Sequence, residues 1–412
     1  MSPQDRLPLY DVAVIGGGIA GAGIARDAAL RNLRVILLEK NTFGSGTSGK
    51  SSKLIHGGLR YLETAWNDLC RGNPAGAWKN FRFVFLSLKE SRTLRRIAPE
   101  LVRPIPILVP FYKNSRRGPA GVVAGCLLYA LMACLSGNFR FPRFLRGAER
   151  VLKILPGLRP EGLQGGVVIW DHLADDRGLV EATIRSAQAS GAEALERAEV
   201  TAWRPEKSGD AYEIEFRREG KSEKRRARKI VNASGPWVDK LRARVGKVKE
   251  DFLTPVAGSH LVFKKFVPHS VILEAEDRRI FFVIACGEVS RVGTTERFHA
   301  DPDTLAVTEE EIGYLLAALA RYFPSGNFDR SQILSTDCGI RPLAKPHGHT
   351  APGDISREHR IRVDAEGVIH ALGVKLTDHR RAAEEIVDGL VPELQRSNPQ
   401  ILRKTRTHRL LL

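Results

Sequence analysis

Cysteine is scarce in this chain, and acidic residues are outnumbered. The five thiols, Cys70, Cys126, Cys134, Cys286 and Cys338, show no Cys-x-x-Cys spacing and no histidine at zinc-finger distance. Neither a disulfide framework nor a metal site is expected from that pattern, and a reducing, cytoplasmic setting suits it. Asp and Glu number 47 against 64 Lys and Arg, which leaves a net charge of +17. A surplus of that size favours anionic partners, whether phosphate substrates, acidic lipid or nucleic acid. The cations are spread out and no nucleic-acid-binding motif accompanies them, so nucleic acid is not an expected partner. Internal repeats and low-complexity tracts are absent. So is a charged leader with an apolar stretch behind it, and no signal peptide is expected.

Long hydrophobic runs are missing too, with one exception. From Gly118 to Phe139 there is no charge, Val122 to Leu135 is rich in Val, Leu and Ala, and Arg116-Arg117 precede it. The length is marginal for a membrane span. Spanning would place motifs before and after it on opposite sides of a membrane, so a single shared site excludes it. A buried helix and a helix dipping into one leaflet both stay open.

What is present is an ordinary globular balance, 43% hydrophobic and 27% charged over 412 residues. Tyr10 to Ile15 reads as a buried parallel strand, Gly16-Gly-Gly-Ile-Ala-Gly21 as a turn, Ile19 to Arg31 as a helix, and Arg34 to Leu38 as a second strand ending at Glu39. That βαβ order is a dinucleotide fingerprint. Gly16 and Gly18 permit the tight turn and close pyrophosphate approach, Gly21 the packing of helix on sheet, and Glu39 is placed to accept from ribose hydroxyls. Further on, a hairpin is expected around Gly220, a buried strand over Ile230 to Gly235, a helix over Glu309 to Phe323, and a return to strand, glycine and helix over Ile361 to Arg380. The basic run Lys221 to Lys229 reads as a solvated face.

Ser51 to Leu62, SSKLIHGGLRYL, is dense in hydroxyls, glycines and cations. Ser51, Ser52 and the backbone from Leu54 to Gly58 can ring a pyrophosphate and the polar edge of a flavin. Gly57 and Gly58 let backbone lie flat against a ring system. Arg60 beside Tyr61 suits a phosphate monoester, because a planar guanidinium and a phenol supply complementary donors.

These strings, with Asn232 to Trp237, Gly258-Ser-His260, Gly293-Thr-Thr295, Gly339 to Leu343, Ser356-Arg357 and Lys375-Leu-Thr377, closely resemble the FAD-dependent glycerol-3-phosphate dehydrogenase family. That family lies within the D-amino-acid-oxidase-like flavoproteins. The resemblance implies an α/β fold in which an FAD-binding Rossmann-like (glutathione-reductase-type) domain interleaves with a mixed or antiparallel-sheet substrate domain. Expected boundaries are 1–70, 150–240 and 335–395 for the first, 71–149 and 241–334 for the second, and 396–412 as a basic tail. Members commonly carry a further helical domain, whose contribution is then absent or supplied by a partner.

The resemblance implies FAD contacts from Lys40, Thr47, Ser48, His56, Val200, Ala233, Ser234, Gly235, Trp237, Gly339, Gly373, Lys375, Leu376 and Thr377. It favours flavin held without a covalent bond to His56. Substrate phosphate falls to Arg60, Tyr61 and Arg357, and chemistry to His260, Arg341 and Lys375. His260 is the candidate base, with a structural hydrogen-bonding role as the alternative, and Arg341 is a second candidate for steadying the alkoxide. Val374 and Asp378-His379 depart from the family pattern, where a glycine and Thr-Tyr are usual. The implied reaction converts sn-glycerol 3-phosphate to dihydroxyacetone phosphate, passing electrons to a quinone or other acceptor at an anionic membrane surface, the inner face of the cytoplasmic membrane. An oligomer is compatible with the sequence. Alternatives are a flavoenzyme for another hydroxy acid or amine, one using oxygen as acceptor, and a non-catalytic flavin-binding subunit.

Overall fold

The computed structural model describes residues 7–113, 115, 118–246, 248, 250–346, 348, 355–405 and 409–410. The Arg116-Arg117 flank and tail residues Arg406, Thr407 and His408 lie outside the described residues.

Two sheets organise the chain. The first has eight strands, running Arg360–Val363, Ile369–Leu372, Lys221–Asn232, Leu9–Ile15, Val35–Leu38 and Glu193–Leu195. Its centre is parallel, with Val14 opposite both Leu37 and Val231. Val35 to Leu38 are buried throughout because both faces are covered. Helices Ile19–Leu30, Asp176–Ala189 and His379–Ser397 pack on one side, and the hairpin strands Ala198–Pro205 and Tyr212–Arg218 bring Trp203 and Phe216 to the other. The expected basic run lies along the strand Lys221–Asn232. There Lys224 pairs with Glu213 at 2.7 Å and Arg226 with Glu206 at 2.5 Å, both carboxylates being partly buried.

The second sheet has ten strands and is almost wholly antiparallel. Leu253–Lys264 pairs with both Val289–Gly293 and Ile333–Ala344, and Val102–Tyr112 pairs along its length with Leu163–Ala174. Strands Leu54–Ile55, Leu163–Ala174 and Ile333–Ala344 therefore belong to this sheet, although the expected boundaries put them in the nucleotide domain. An apolar run reports that a strand is buried, not which strand it pairs with.

Helices Leu59–Cys70, Pro74–Ile97 and Pro119–Leu135 cover one face of that sheet, packing Leu62, Leu88 and Tyr129 against Ile107 and Ile169. The uncharged helix Pro119–Leu135 is thus half buried. Cys126, Tyr129 and Met132 face inward, while Leu127, Leu131 and Leu135 are exposed. No described helix is long and apolar enough to cross a membrane.

The basic tail is packed over its described part. Ile401 and Leu410 are buried, and the Leu402 N–H donates to the Arg31 carbonyl at 2.9 Å. Arg31, 0% exposed, bridges Asp27 at 2.7 Å, Asp388 at 2.6 Å and the Thr405 hydroxyl at 2.7 Å. Arg31→Ala leaves the buried Asp27 without its cation, while Asp388 keeps Lys404, and is expected to cost about 3–5 kcal/mol, read as a large fall in the thermal unfolding midpoint. A shift of a degree or two would show that the clamp is not structural.

Candidate functional site

The βαβ turn is built by steric necessity. Gly16 has φ +108°, and a Cβ there would lie 2.7 Å from the Ala233 carbonyl oxygen. A Cβ on Gly21 would meet the Gly16 oxygen at 1.9 Å, so helix Ile19–Leu30 can approach the strand only without one. Gly18 caps that helix, and no acidic side chain occupies its first turn. Its positive end therefore stays available to an anion. The Ser48 hydroxyl accepts from the Ile19 N–H at 2.9 Å. Glu39 holds the turn, accepting from the N–H groups of Gly17 (2.6 Å) and Asn41 (2.8 Å).

A groove of about 400 Å³ runs along this edge, lined by Gly16, Gly18, Glu39, Lys40, Thr47, Ser48, Val200, Ala233, Ser234, Gly235 and Trp237 among others. Lys40 stacks 4.1 Å over the Trp237 ring. Asp303, which the sequence reading missed, accepts from Trp237 Nε1 at 2.6 Å and Lys240 Nζ at 2.6 Å. Those donors, Lys240 foremost, hold its carboxyl below the usual range. Val374 lines the groove and packs on the core of the first sheet, so its side chain is accommodated. Asp378 is buried and accepts from the Ser87 hydroxyl at 3.1 Å.

The serine-rich loop differs from expectation. The Ser51 hydroxyl donates to Asp176 at 2.8 Å rather than turning to the groove, because Asp176 is fully buried and needs the donor. Ser52 Oγ is hydrogen-bonded to His260 Nε2 at 2.8 Å. The glycines at 57 and 58 answer to protein packing. A Cβ on Gly57 would lie 2.6 Å from Leu88, and Gly58 has φ +83° with the Tyr61 ring 2.6 Å from a built Cβ. The Gly57 N–H donates to Tyr129 Oη at 2.8 Å, and that hydroxyl donates to Asp171 at 2.6 Å. Neither residue was anticipated, since an apolar helix and a strand interior carry no local signal for them. Leu54 is buried in strand pairing, Leu376 packs on the first core, and Thr377 is buried. Gly339 sits in the second sheet with a built Cβ 3.3 Å from the Lys50 carbonyl, and Gly373 adopts φ +66°.

Beyond this loop the fold gathers cations. Lys375 Nζ lies 3.2 Å from the Tyr61 hydroxyl and 4.2 Å over the Phe83 ring. Arg341 donates to Thr294 Oγ1 at 3.0 Å, and Arg357 pairs with Glu296. The electrostatics show one shared field. Burial, then Lys375 and Arg357, push His56 down to about 4. Burial, then Arg291, Arg341 and Lys53, push His260 down to about 3. Burial, then Arg357 with a smaller contribution from Arg60, lowers Arg341 to about 10. Both imidazoles are neutral near pH 7, a proton short of competing with the cations.

Two buried polar atoms here, His260 Nδ1 and Arg341 Nη1, have no hydrogen-bond partner. Leaving such atoms unmade costs about 1–3 kcal/mol each, so they mark places a ligand completes. Together with the glycine cradle, they fit a flavin dinucleotide with an anionic substrate beside it.

A doubly wound nucleotide sheet joined to an antiparallel sheet, with this groove between helix end and Glu39, defines a flavoprotein oxidoreductase. Residues 11–377 match the FAD-dependent oxidoreductases, and the chain belongs to that family and binds FAD. Within it the chain falls among the glycerol-3-phosphate dehydrogenases. It is 33% identical to glycerol-3-phosphate dehydrogenase of Synechocystis sp., over 96% of this chain and 72% of that one. With aerobic glycerol-3-phosphate dehydrogenase of Bacillus subtilis identity is 34%, covering 92% of this chain and 66% of the relative. The structure of glycerol-3-phosphate dehydrogenase from Bacillus halodurans complexed with FAD superposes with a TM-score of 0.75 at 27% identity, covering 99% of this chain and 68% of that one. The chain thus spans about two thirds of these relatives' length. Glycine oxidase from Geobacillus kaustophilus, at 20% identity and TM-score 0.64, shares the fold.

Burial holds the Asp171 carboxyl up at about 7. Its unfolded value is near about 3.9, so the native state binds the extra proton and stability falls as pH rises from about 4 to about 7. Asp171→Asn keeps an acceptor for Tyr129 and removes the titration. Its denaturant-unfolding free energy is expected to fall less than the parent's across that window, and an identical pH slope would contradict the assignment.

Proposed function

We propose that this chain oxidises sn-glycerol 3-phosphate at C2 to dihydroxyacetone phosphate. The observation that carries the reading is the cation cluster beside the FAD groove: Arg341 feels the charges of Arg357 and Arg60, Arg357 and Lys375 both act on His56, Glu296 pairs with Arg357, and Arg341 keeps an unpartnered buried nitrogen. A phosphate dianion matches such a set in charge and geometry, taking planar forks from arginine and point donors from Lys375 and Tyr61.

Turning a secondary alcohol into a ketone removes a hydride from carbon and a proton from oxygen. Bound FAD supplies the two-electron acceptor. The proton falls to His260, whose Nε2 is steadied by Ser52 and whose Nδ1 is unpartnered. In the free protein burial, and then the charges of Arg291, Arg341 and Lys53, suppress its basicity. An arriving dianion cancels part of that field and raises its proton affinity, so substrate binding readies the base. Arg341 steadies the alkoxide as it forms.

The onward acceptor in this reading is a quinone, reached with the protein resting on an anionic membrane. Support comes from Trp66, Leu131, Leu135, Phe139 and Phe141, all large, apolar and exposed, with the exposed cation Arg143 nearby in sequence, on a chain of net charge +17.

Anaerobic addition of glycerol 3-phosphate is expected to bleach the bound flavin, with sarcosine and 2-hydroxyglutarate leaving it oxidised. His260→Asn should slow that bleaching by about 100-fold or more with flavin content unchanged. Bleaching by one of the other compounds alone would reassign the substrate, and bleaching by none would leave a binding subunit. The same protein should sediment with phosphatidylglycerol vesicles and lose that association in a Phe139→Ser, Phe141→Ser double variant.

A further inference from the structure

A second cavity, of about 290 Å³, lies between helix Pro74–Ile97 and the first turn of helix His379–Ser397. Its walls include Trp78, Lys79, Arg82, Phe83, Glu358 and Arg381. The spacing of 78, 79, 82 and 83 puts these side chains on one face of their helix. Three cations meet one carboxylate, and that carboxylate, Glu358, is taken by Lys79 at 3.0 Å. Arg82 and Arg381 have no carboxylate partner among the described residues.

Arg381 makes the contrast sharp. Arg380, its neighbour in sequence, holds Glu90 through two bonds of 2.8 and 2.6 Å. Arg381 Nε and Nη2 are buried and have no hydrogen-bond partner at all. Buried guanidinium donors without an acceptor are costly, and their planar fork matches the oxygens of a phosphoryl group. Trp78, 70% exposed, and Leu86 add apolar wall for the rest of such a molecule. Phe83 closes the inner side, with its ring centroid 4.7 Å from that of Tyr61 and Lys375 on its face.

We propose that this cavity is a second phosphate-binding site, separate from the Arg341 cluster. It takes a phosphate ester whose apolar portion rests on Trp78. The ester is either a soluble phosphorylated molecule or the headgroup of an acidic lipid, and one aromatic ring separates it from Tyr61 and Lys375.

Trp78 reports occupancy directly, and Trp78→Phe identifies its share of the fluorescence. Titrating the FAD-loaded protein with inorganic phosphate at low ionic strength is expected to change Trp78 emission saturably. Affinity should fall at least tenfold in Arg381→Gln and in Arg82→Gln, whose exposed position spares the fold. The response should persist in Arg341→Gln, which keeps this site distinct from the proposed substrate pocket whether or not that reading holds. Vesicles of phosphatidylglycerol, compared with phosphatidylcholine, form the other arm. An arginine-dependent response to free phosphate supports a soluble ligand, and one confined to the acidic vesicles supports a lipid headgroup. Absence of both responses, survival of them in both arginine variants, or loss in Arg341→Gln overturns the proposal.

Discussion

Like charges brought together in a poorly hydrated space repel, and they stay together only where the surrounding structure leaves them no escape. Arg60 comes from the start of one helix, Arg341 from a strand of the second sheet, Arg357 from the loop behind it, and Lys375 from the turn before helix His379–Ser397. Four separate stretches of chain converge, and Arg341 and His56 are lowered first by burial and then by the neighbouring cations. The pairing of Leu253–Lys264 with Ile333–Ala344 fixes Arg341, while the Arg380–Glu90 bonds fix the turn that carries Lys375. An anion relieves the repulsion, so the scaffold's rigidity becomes binding selectivity.

The nucleotide groove depends on the same rigidity by another route. Gly16, Gly21 and Ala233 are in such close contact that helix, turn and neighbouring strand form one piece. Asp303, from the second sheet's loops, reaches Trp237 and Lys240 at the groove's mouth, so the two sheets share custody of it. Gly57 belongs to the second sheet's side, tied through Tyr129 to the half-exposed apolar helix and through its own packing to Leu88.

Much of this was legible in the sequence, for identifiable reasons. The βαβ unit shows because each part constrains a different local property: strand burial, φ at Gly16, helix periodicity and the acid at 39. The helix Glu309–Tyr322 announces itself through the Thr308 and Glu311 capping box. What stayed hidden depends on partners distant in sequence. The pairing of Ser51 with Asp176, the packing of Gly57 against Leu88 and the seat of the basic tail on Arg31 have no local signal. The sheet that strands Leu163–Ala174 and Ile333–Ala344 join is set by partners far away in sequence. Asp171 and Tyr129 carry no motif at all.

If the cation cluster selects substrate by its phosphate, the decisive quantity is the ratio of kcat/KM for glycerol 3-phosphate to that for glycerol. Several charge-assisted hydrogen bonds at about 1.5–3 kcal/mol each predict a ratio of at least about 1,000. It should collapse towards unity in a variant stripped of Arg60, Arg341 and Arg357 that still binds FAD. A parent ratio within about tenfold of one would contradict the account, because the cluster would then not be reading phosphate.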